Sequence, residues 1–253
     1  MNDTVRHTKP ILILKTGELP RRVFQDLGPY ERAFLNILGD DRFVVIDARK
    51  EELPEPDWAG IIITGSPAST YDSEAWIAQS EDFLRRAADL SVPLYGVCFG
   101  HQLVAQAFGG KVEKCRHGWE LGTVQLTLTD DGKSDPLFSD LPEMFPAQMS
   151  HGDVVTELPS GAIPLARNDH SGHQSFRLGD SIWGTQFHPE FTPTIVANMI
   201  YALADRLPPE SFPRWNACVD PLRGWLLSSV REAPEAQRCL ENFLRIVEER
   251  SRT

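Results

Sequence analysis

Cys98 sits in the stretch Gly96-Val97-Cys98-Phe99-Gly100-His101-Gln102, where an apolar run gives way to Leu103, Val104, Ala107 and Phe108 at helical spacing. A Gly-x-Cys-x-Gly junction of this kind is a nucleophile elbow with sulfur in place of the hydroxyl. The turn must be sharp enough to lift a side chain above a sheet, and glycine on either side removes Cβ atoms that would meet neighbouring backbone. At a helix N-terminus the sulfur meets the partial positive charge of unpaired N–H groups, which favours thiolate. The Phe99 N–H can point at a developing oxyanion. The same stretch also suits a small buried cysteine at an ordinary strand-to-helix turn.

A nucleophilic thiol requires an imidazole that is itself oriented by a third group. Among seven histidines, His188 lies in Trp183-Gly184-Thr185-Gln186-Phe187-His188-Pro189-Glu190, at the exit of an expected strand. Ligand sites gather beyond strand ends in such sheets. Pro189 biases His188 towards extended backbone, and residues two apart in extended backbone face the same side, so Glu190 can reach the ring nitrogen turned away from sulfur. Cys98, His188 and Glu190 thus satisfy the logic of a catalytic triad, whereas His-Pro-Glu in isolation reads as a surface loop.

Gly-Val-Cys-Phe-Gly-His-Gln at 96–102 and Gln-Phe-His-Pro-Glu at 186–190 resemble the two signature blocks of class I glutamine amidotransferases. Ile61-Ile62-Ile63-Thr64-Gly65-Ser66-Pro67 resembles that family's strand and oxyanion loop, and Met149-Ser150-His151-Gly152-Asp153 resembles a substrate-lining segment of guanosine-monophosphate synthetase. The resemblance runs from about Ile11 to Leu207, and blocks in the same order make it specific. It implies Cys98 as nucleophile, His188 as general base and then acid, and Glu190 as the group holding the His188 tautomer. It also implies backbone oxyanion donors at Gly65, Ser66 and Phe99, with Gln102, Ser150, His151 and Asp153 near the glutamine body. Where much of the family has a second glycine, this chain has Ser66. Gly118-Trp119-Glu120-Leu121-Gly122 resembles a stretch of free-standing, synthetase-like members, and no chemistry is assigned to it.

The elements that must hold these residues are short apolar runs at Ile11–Leu14, Phe43–Ile46, Gly60–Thr64 and Pro93–Val97, as expected of parallel strands buried on both faces. Helical spacing connects them, through Tyr30, Phe34, Ile37 and Leu38, then through Trp76, Phe83, Leu84 and Ala87. The pattern predicts a doubly wound, mostly parallel α/β sheet, flavodoxin-like in the family resembled. Past Gly110 the alternation of Val124, Leu126 and Leu128 predicts a strand closed by a turn at Asp130-Asp131-Gly132. Ser175–Leu178 and Ser181–Phe187 predict a hairpin about Gly179-Asp180, hence an antiparallel extension. Thr192-Pro193 starts a helix with Val196, Met199, Ile200 and Leu203 on one face, ending at Pro208-Pro209. A catalytic unit over 9–207 is expected, followed by a helical C-terminal appendage over 208–253 in which Pro234, Ala236, Leu240, Phe243, Leu244 and Val247 mark an amphipathic helix.

The chain has 253 residues, with 25 Lys and Arg against 36 Asp and Glu, for a net charge of −11. That length holds a large core, and that charge opposes binding to a phosphate backbone, so no nucleic-acid partner is expected. No apolar run approaches the roughly 20 residues that span a bilayer, which predicts no membrane partner. Met1–Pro10 is polar, with no signal-peptide core, and cytoplasmic location is expected. Cys98, Cys115, Cys218 and Cys239 are widely spaced and are expected as thiols. His101 begins the helix after Cys98, either touching substrate or lying on the elbow rim, and Cys115, beside Arg116 and His117, reads as reactive or structural. His170-Ser171-Gly172-His173 lacks companions at ligand spacing, and no phosphate-cradling glycine motif occurs, so no metal and no cofactor are expected.

The function implied is hydrolysis of the γ-amide of glutamine through a cysteine thioester, with ammonia passed to an acceptor or a synthetase subunit. The alternatives are a γ-glutamyl hydrolase or peptidase using the same residues, and a regulatory subunit that only binds.

Overall fold

The structure, a computed structural model, describes residues 9–39, 41–204 and 219–252. In the first strand, β1 (Ile11–Lys15), Ile11 and Ile13 enter one apolar cluster while Leu12 and Leu14 enter another. The period of two that separates the faces of any strand therefore places apolar side chains on both sides of this one. The chain continues through α1 (Arg21–Leu27), α2 (Glu31–Leu38), β2 (Phe43–Asp47), β3 (Gly60–Ile63), α3 (Ala75–Asp89), β4 (Leu94–Val97) and α4 (Phe99–Ala107). Next come β5 (Lys111–Lys114), β6 (Glu120–Leu128), α5 (Asp130–Ser134), β7 (Met144–His151), β8 (Asp153–Glu157) and β9 (Ala162–Arg167). The last elements are β10 (Ser175–Leu178), β11 (Ile182–Thr185), α6 (Pro193–Ala204), α7 (Val219–Ser229) and α8 (Pro234–Arg252).

The main sheet has nine strands in the order β2-β1-β3-β4-β11-β10-β9-β6-β7, and β5 pairs with β8 in a separate two-stranded sheet. From β2 to β11 all pairings are parallel, and from β11 to β7 all are antiparallel. The doubly wound sheet, its antiparallel extension and the C-terminal helices are those the sequence predicts. α3 and α4 cover one face, while α1, α2, α6, α7 and α8 pack on the other. The β10–β11 hairpin turns at Gly179, whose φ of 58° is open to glycine at no steric cost.

α8 begins at Pro234, which suits a first helical turn, and buries Ala236, Cys239, Leu240, Phe243, Ile246 and Val247 in the same apolar cluster as Ile62 and Tyr95 of the sheet. Each large side chain so buried contributes at most about 1.5–3 kcal/mol. This helix, expected within an appendage, is thus a layer over the sheet, and Gly60 shows how close it comes. A Cβ there would stand 2.7 Å from Val247 Cγ2. The boundary expected at 207/208, Pro208-Pro209 and Cys218 lie outside the described residues.

One local expectation is corrected. Asp130-Asp131-Gly132 does not form a simple turn but opens the short helix α5, because the Thr129 hydroxyl accepts the Gly132 N–H at 3.0 Å and caps it. The strand holding Val124, Leu126 and Leu128 starts at Glu120, so the Gly118–Gly122 stretch lies partly in the sheet. Among the described residues no helix is long and apolar enough to cross a membrane.

Candidate active site

The loops after β3, β4 and β11 bring together residues that are far apart in sequence. At the end of β4, Cys98 has φ 53° and ψ −103°, an uncommon conformation that costs a side-chain-bearing residue about 1–3 kcal/mol. Packing enforces it. A Cβ on Gly96 would lie 2.3 Å from the Gly100 oxygen, and one on Gly100 would lie 2.4 Å from the Ile63 oxygen, so neither glycine admits a side chain. The Cys98 N–H donates to the Thr185 oxygen at 2.8 Å, tying the elbow to the end of β11. Its thiol points towards the Ser150 oxygen at 3.9 Å.

His188 follows β11, its N–H held by the Gln148 oxygen at 2.9 Å. Its ring Nδ1 lies 2.7 Å from Glu190 Oε1, while Nε2 is buried with no hydrogen-bond partner among the described residues. The ring stacks flat on Phe191, centroids 3.9 Å apart and planes 3° apart. His188 and Cys98 converge on the α-carbon of Gly65, where a Cβ would stand 3.1 Å from His188 Cε1 and 3.6 Å from Cys98 Cβ. Burial alone would lower the pKa of His188, but the Glu190 carboxylate and the Cys98 sulfur beside it raise it to about 10. A proton on this imidazole is therefore stabilised from both sides of the ring.

Cys98 opens into a cavity of about 390 Å³, lined among others by Ser66, Gln102, Lys114, Ser150, His151 and Asp153. That size falls within the range of small-molecule sites. Gln102 spends its amide N–H groups on the Asp153 carbonyl (2.9 Å) and Gln186 Oε1 (3.0 Å). The Asp153 carboxylate accepts from the Ser69 hydroxyl at 2.6 Å and the Tyr71 hydroxyl at 3.1 Å. The Ser150 hydroxyl is buried without a partner among the described residues. His151 pairs through Nε2 with Glu120 at 3.0 Å, and Glu120 also accepts from Asn168 at 2.7 Å and Gln174 at 2.8 Å. Burial works against the Glu120 charge, yet His151 foremost, with the nearby His170 and the Gln174 donor, holds its pKa below the usual carboxylate value.

The structure thus gathers Cys98, His188, Glu190 and Gly65, with Ser66, Gln102, Ser150, His151 and Asp153 lining the adjoining cavity, while Phe99 follows Cys98 at the start of α4 and turns its ring against Trp76, centroids 5.5 Å apart. The Gly65 N–H, expected to face an oxyanion, instead donates to the Tyr30 hydroxyl at 3.3 Å. His101 is not on the rim. It is wholly buried against Phe176, and burial lowers its pKa to about 3, making it a neutral core residue. Cys115 lines the cavity, and Cys239 is buried in α8, where burial raises its thiol pKa. Cys98, Cys115 and Cys239 are in no disulfide. His173 Nδ1 is 2.9 Å from the Val155 oxygen.

Three residues at this site were not singled out from sequence. Tyr30 reads as one of several apolar positions on α2, Glu120 as part of a stretch without chemistry, and Phe191 as nothing in particular. The Tyr30 hydroxyl donates to Glu190 Oε1 at 2.8 Å, and no spacing in the sequence announces a contact between chain segments so far apart.

The profile of glutamine amidotransferase class-I matches residues 40–203. The chain is 37% identical over 155 residues to a GMP synthase (glutamine-hydrolyzing) of Thermosipho africanus, an alignment covering 61% of this chain and 28% of that protein. It therefore spans little more than a quarter of that relative's length. It is 30% identical over 202 residues to gamma-glutamyl peptidase 4 of Arabidopsis thaliana, covering 76% of this chain and 79% of that one. Among solved structures, a glutamine amidotransferase from Methylobacillus flagellatus superposes with TM-score 0.72 at 23% identity, over 94% of this chain and 95% of that chain. One from Thermotoga maritima gives 0.71 at 21% identity, over 96% of this chain and the whole of the other. At such identities the structural likeness speaks for the fold.

Proposed function

The chain belongs to the class I glutamine amidotransferase family, and from that premise we propose that it hydrolyses γ-glutamyl amides by cysteine catalysis, with glutamine as substrate and ammonia as leaving group. The observation that supports this reading is the His188 imidazole, 2.7 Å from Glu190 through Nδ1 and with the Cys98 sulfur beside the ring. Nucleophile, base and orienting acid are the parts that an activated thiol needs.

In this mechanism the Cys98 thiolate adds to the γ-carbonyl carbon, and the oxygen takes up the negative charge against the N–H groups of Phe99 and Ser66. Gly65 contributes space, since a side chain there would collide with Tyr30 and His188. His188, as imidazolium, gives its proton to the amide nitrogen; the C–N bond breaks, ammonia leaves, and Cys98 holds a γ-glutamyl thioester. Neutral His188 then takes a proton from water as the water attacks, and glutamate departs with the thiol restored. Gln102, Ser150, His151 and Asp153 hold the glutamine body, and the Asp153 carboxylate suits its α-ammonium group. No step calls on a metal or cofactor. Released ammonia implies an acceptor, such as one held by a synthetase partner.

A second reading, a γ-glutamyl peptidase, has its own support: this chain aligns with 79% of the Arabidopsis peptidase but with only 28% of the Thermosipho synthase. The chemistry is the same, with an amine leaving in place of ammonia. A subunit that merely binds would need no thiol beside a carboxylate-paired imidazole. Steady-state turnover of glutamine and of γ-glutamyl dipeptides by the purified protein separates the readings. Glutamine turnover, enhanced by an acceptor subunit, supports the first; peptide turnover with negligible glutamine turnover replaces it with the second.

A further inference from the structure

Tyr30 is 2% exposed and stands at the start of α2, its ring packed against Phe34 and Phe191 with centroids 5.7 and 6.2 Å away. A buried phenol is satisfied by one good hydrogen bond. This one donates to Glu190 Oε1 at 2.8 Å, accepts the Gly65 N–H at 3.3 Å and lies 3.4 Å from His188 Nδ1. Each partner belongs to a different part of the proposed machinery. The loop after β3 is shaped to admit the hydroxyl, because a Cβ on Gly65 would stand 2.7 Å from it.

We propose that Tyr30 is a positioning residue for the Cys98 reaction, fixing through its hydroxyl the Glu190 oxygen on which His188 leans. The inference rests on the Cys98–His188–Glu190 reading above. Glu190 Oε1 receives two hydrogen bonds, from the imidazole at 2.7 Å and from the phenol at 2.8 Å, whereas Oε2 is buried with no partner among the described residues. A carboxylate held through one oxygen by two donors on separate rigid frames cannot rotate without breaking one bond. With only His188 as donor, carboxylate and imidazole could turn together and carry Nε2 away from sulfur. The phenol stays protonated for this task, because burial and the Glu190 charge both raise its pKa.

The test uses the full-length protein and a γ-glutamyl chloromethyl ketone, with the rate and saturation of Cys98 alkylation followed by intact mass. Tyr30→Phe removes the hydroxyl and keeps the ring. We expect its limiting alkylation rate to fall about tenfold or more, with the half-saturating concentration changing less than about threefold. In a Glu190→Ala background the same substitution is expected to cost less than about twofold, because with the carboxylate gone a residue acting through it has nothing left to position. A merely structural role would give the same factor in both backgrounds, and that result, or an unaffected Tyr30→Phe rate, overturns the proposal. If Tyr30→Phe fails to fold, as judged by circular dichroism, Tyr30→Met enters the same cycle with the same criteria. Absence of labelling at Cys98 in the unmodified protein would overturn the nucleophile assignment itself, an outcome distinct from labelling that ignores Tyr30.

Discussion

Phe191 lies flat on the imidazole of His188, with ring centroids 3.9 Å apart and an angle of 3° between planes. Two residues on one loop thus lie in parallel planes, and the buried phenyl leaves His188 one way to face. Phe191→Leu keeps an apolar filler but loses the flat support. It is expected to destabilise the protein by about 1–2 kcal/mol, as partial loss of a core aromatic does. Turnover should fall several-fold with little change in KM. Unchanged turnover in a folded variant would show that the ring plane is held by Glu190 alone.

Glu120 pairs with His151 at 3.0 Å and accepts two further hydrogen bonds from Asn168 and Gln174, all in the interior. Removing the acceptor strands its buried donors, and Glu120→Ala is expected to cost about 1–3 kcal/mol. Glu120→Gln, which can still accept from one neighbour, should cost less. Urea unfolding midpoints measure both. A loss under about 1 kcal/mol for the alanine variant would mean that His151 finds another partner when Glu120 is gone.

His101 titrates near 3 in the folded chain and near 6.5 when unfolded. Between those values the unfolded chain binds a proton that the native protein refuses. Native stability therefore falls as pH is lowered from about 6.5 towards 3, by at most about 1.4 kcal/mol per pH unit, and the contribution levels off below 3. His101→Phe removes this titration, so its stability should fall less steeply over that interval. Parallel stability curves for the two proteins would refute the assignment of His101 as a neutral core residue.

Much of the framework could be read from the sequence because both periodicities are clean. Ile11 to Leu14 alternate between two apolar clusters, and Trp76, Phe83, Leu84 and Ala87 recur at one helical face. His188 and Glu190 were legible as a pair because extended backbone puts residues two apart on one side. Tyr30 was not, since an aromatic residue on an apolar helix face looks alike whether its hydroxyl meets water or a carboxylate in a distant segment. Glu120 was hidden likewise, its partners His151, Asn168 and Gln174 arriving only when β6 pairs within the sheet. His101 looked like a rim residue because position beside an elbow says nothing about depth.

α8 was read from its amphipathic pattern, but its seat on the sheet was not. Gly60 and Val247 record it, for a Cβ on Gly60 would come 2.7 Å from Val247 Cγ2. Gly60→Ala is expected to cost about 1–3 kcal/mol by overpacking. Val247→Ala makes room for the added methyl, so the double variant should be more stable than the sum of the single losses implies, by about 1 kcal/mol. Additive losses in thermal or urea unfolding would mean that α8 shifts freely over the strand.

Acid quench of the protein during turnover of glutamine or a γ-glutamyl dipeptide, followed by peptide mapping by mass spectrometry, tests the central claim most directly. The expected result is a γ-glutamyl thioester on Cys98, absent from Cys98→Ala and strongly diminished in His188→Ala, both variants remaining folded. Turnover that survives Cys98→Ala, or an acyl group carried by any other residue, would contradict it.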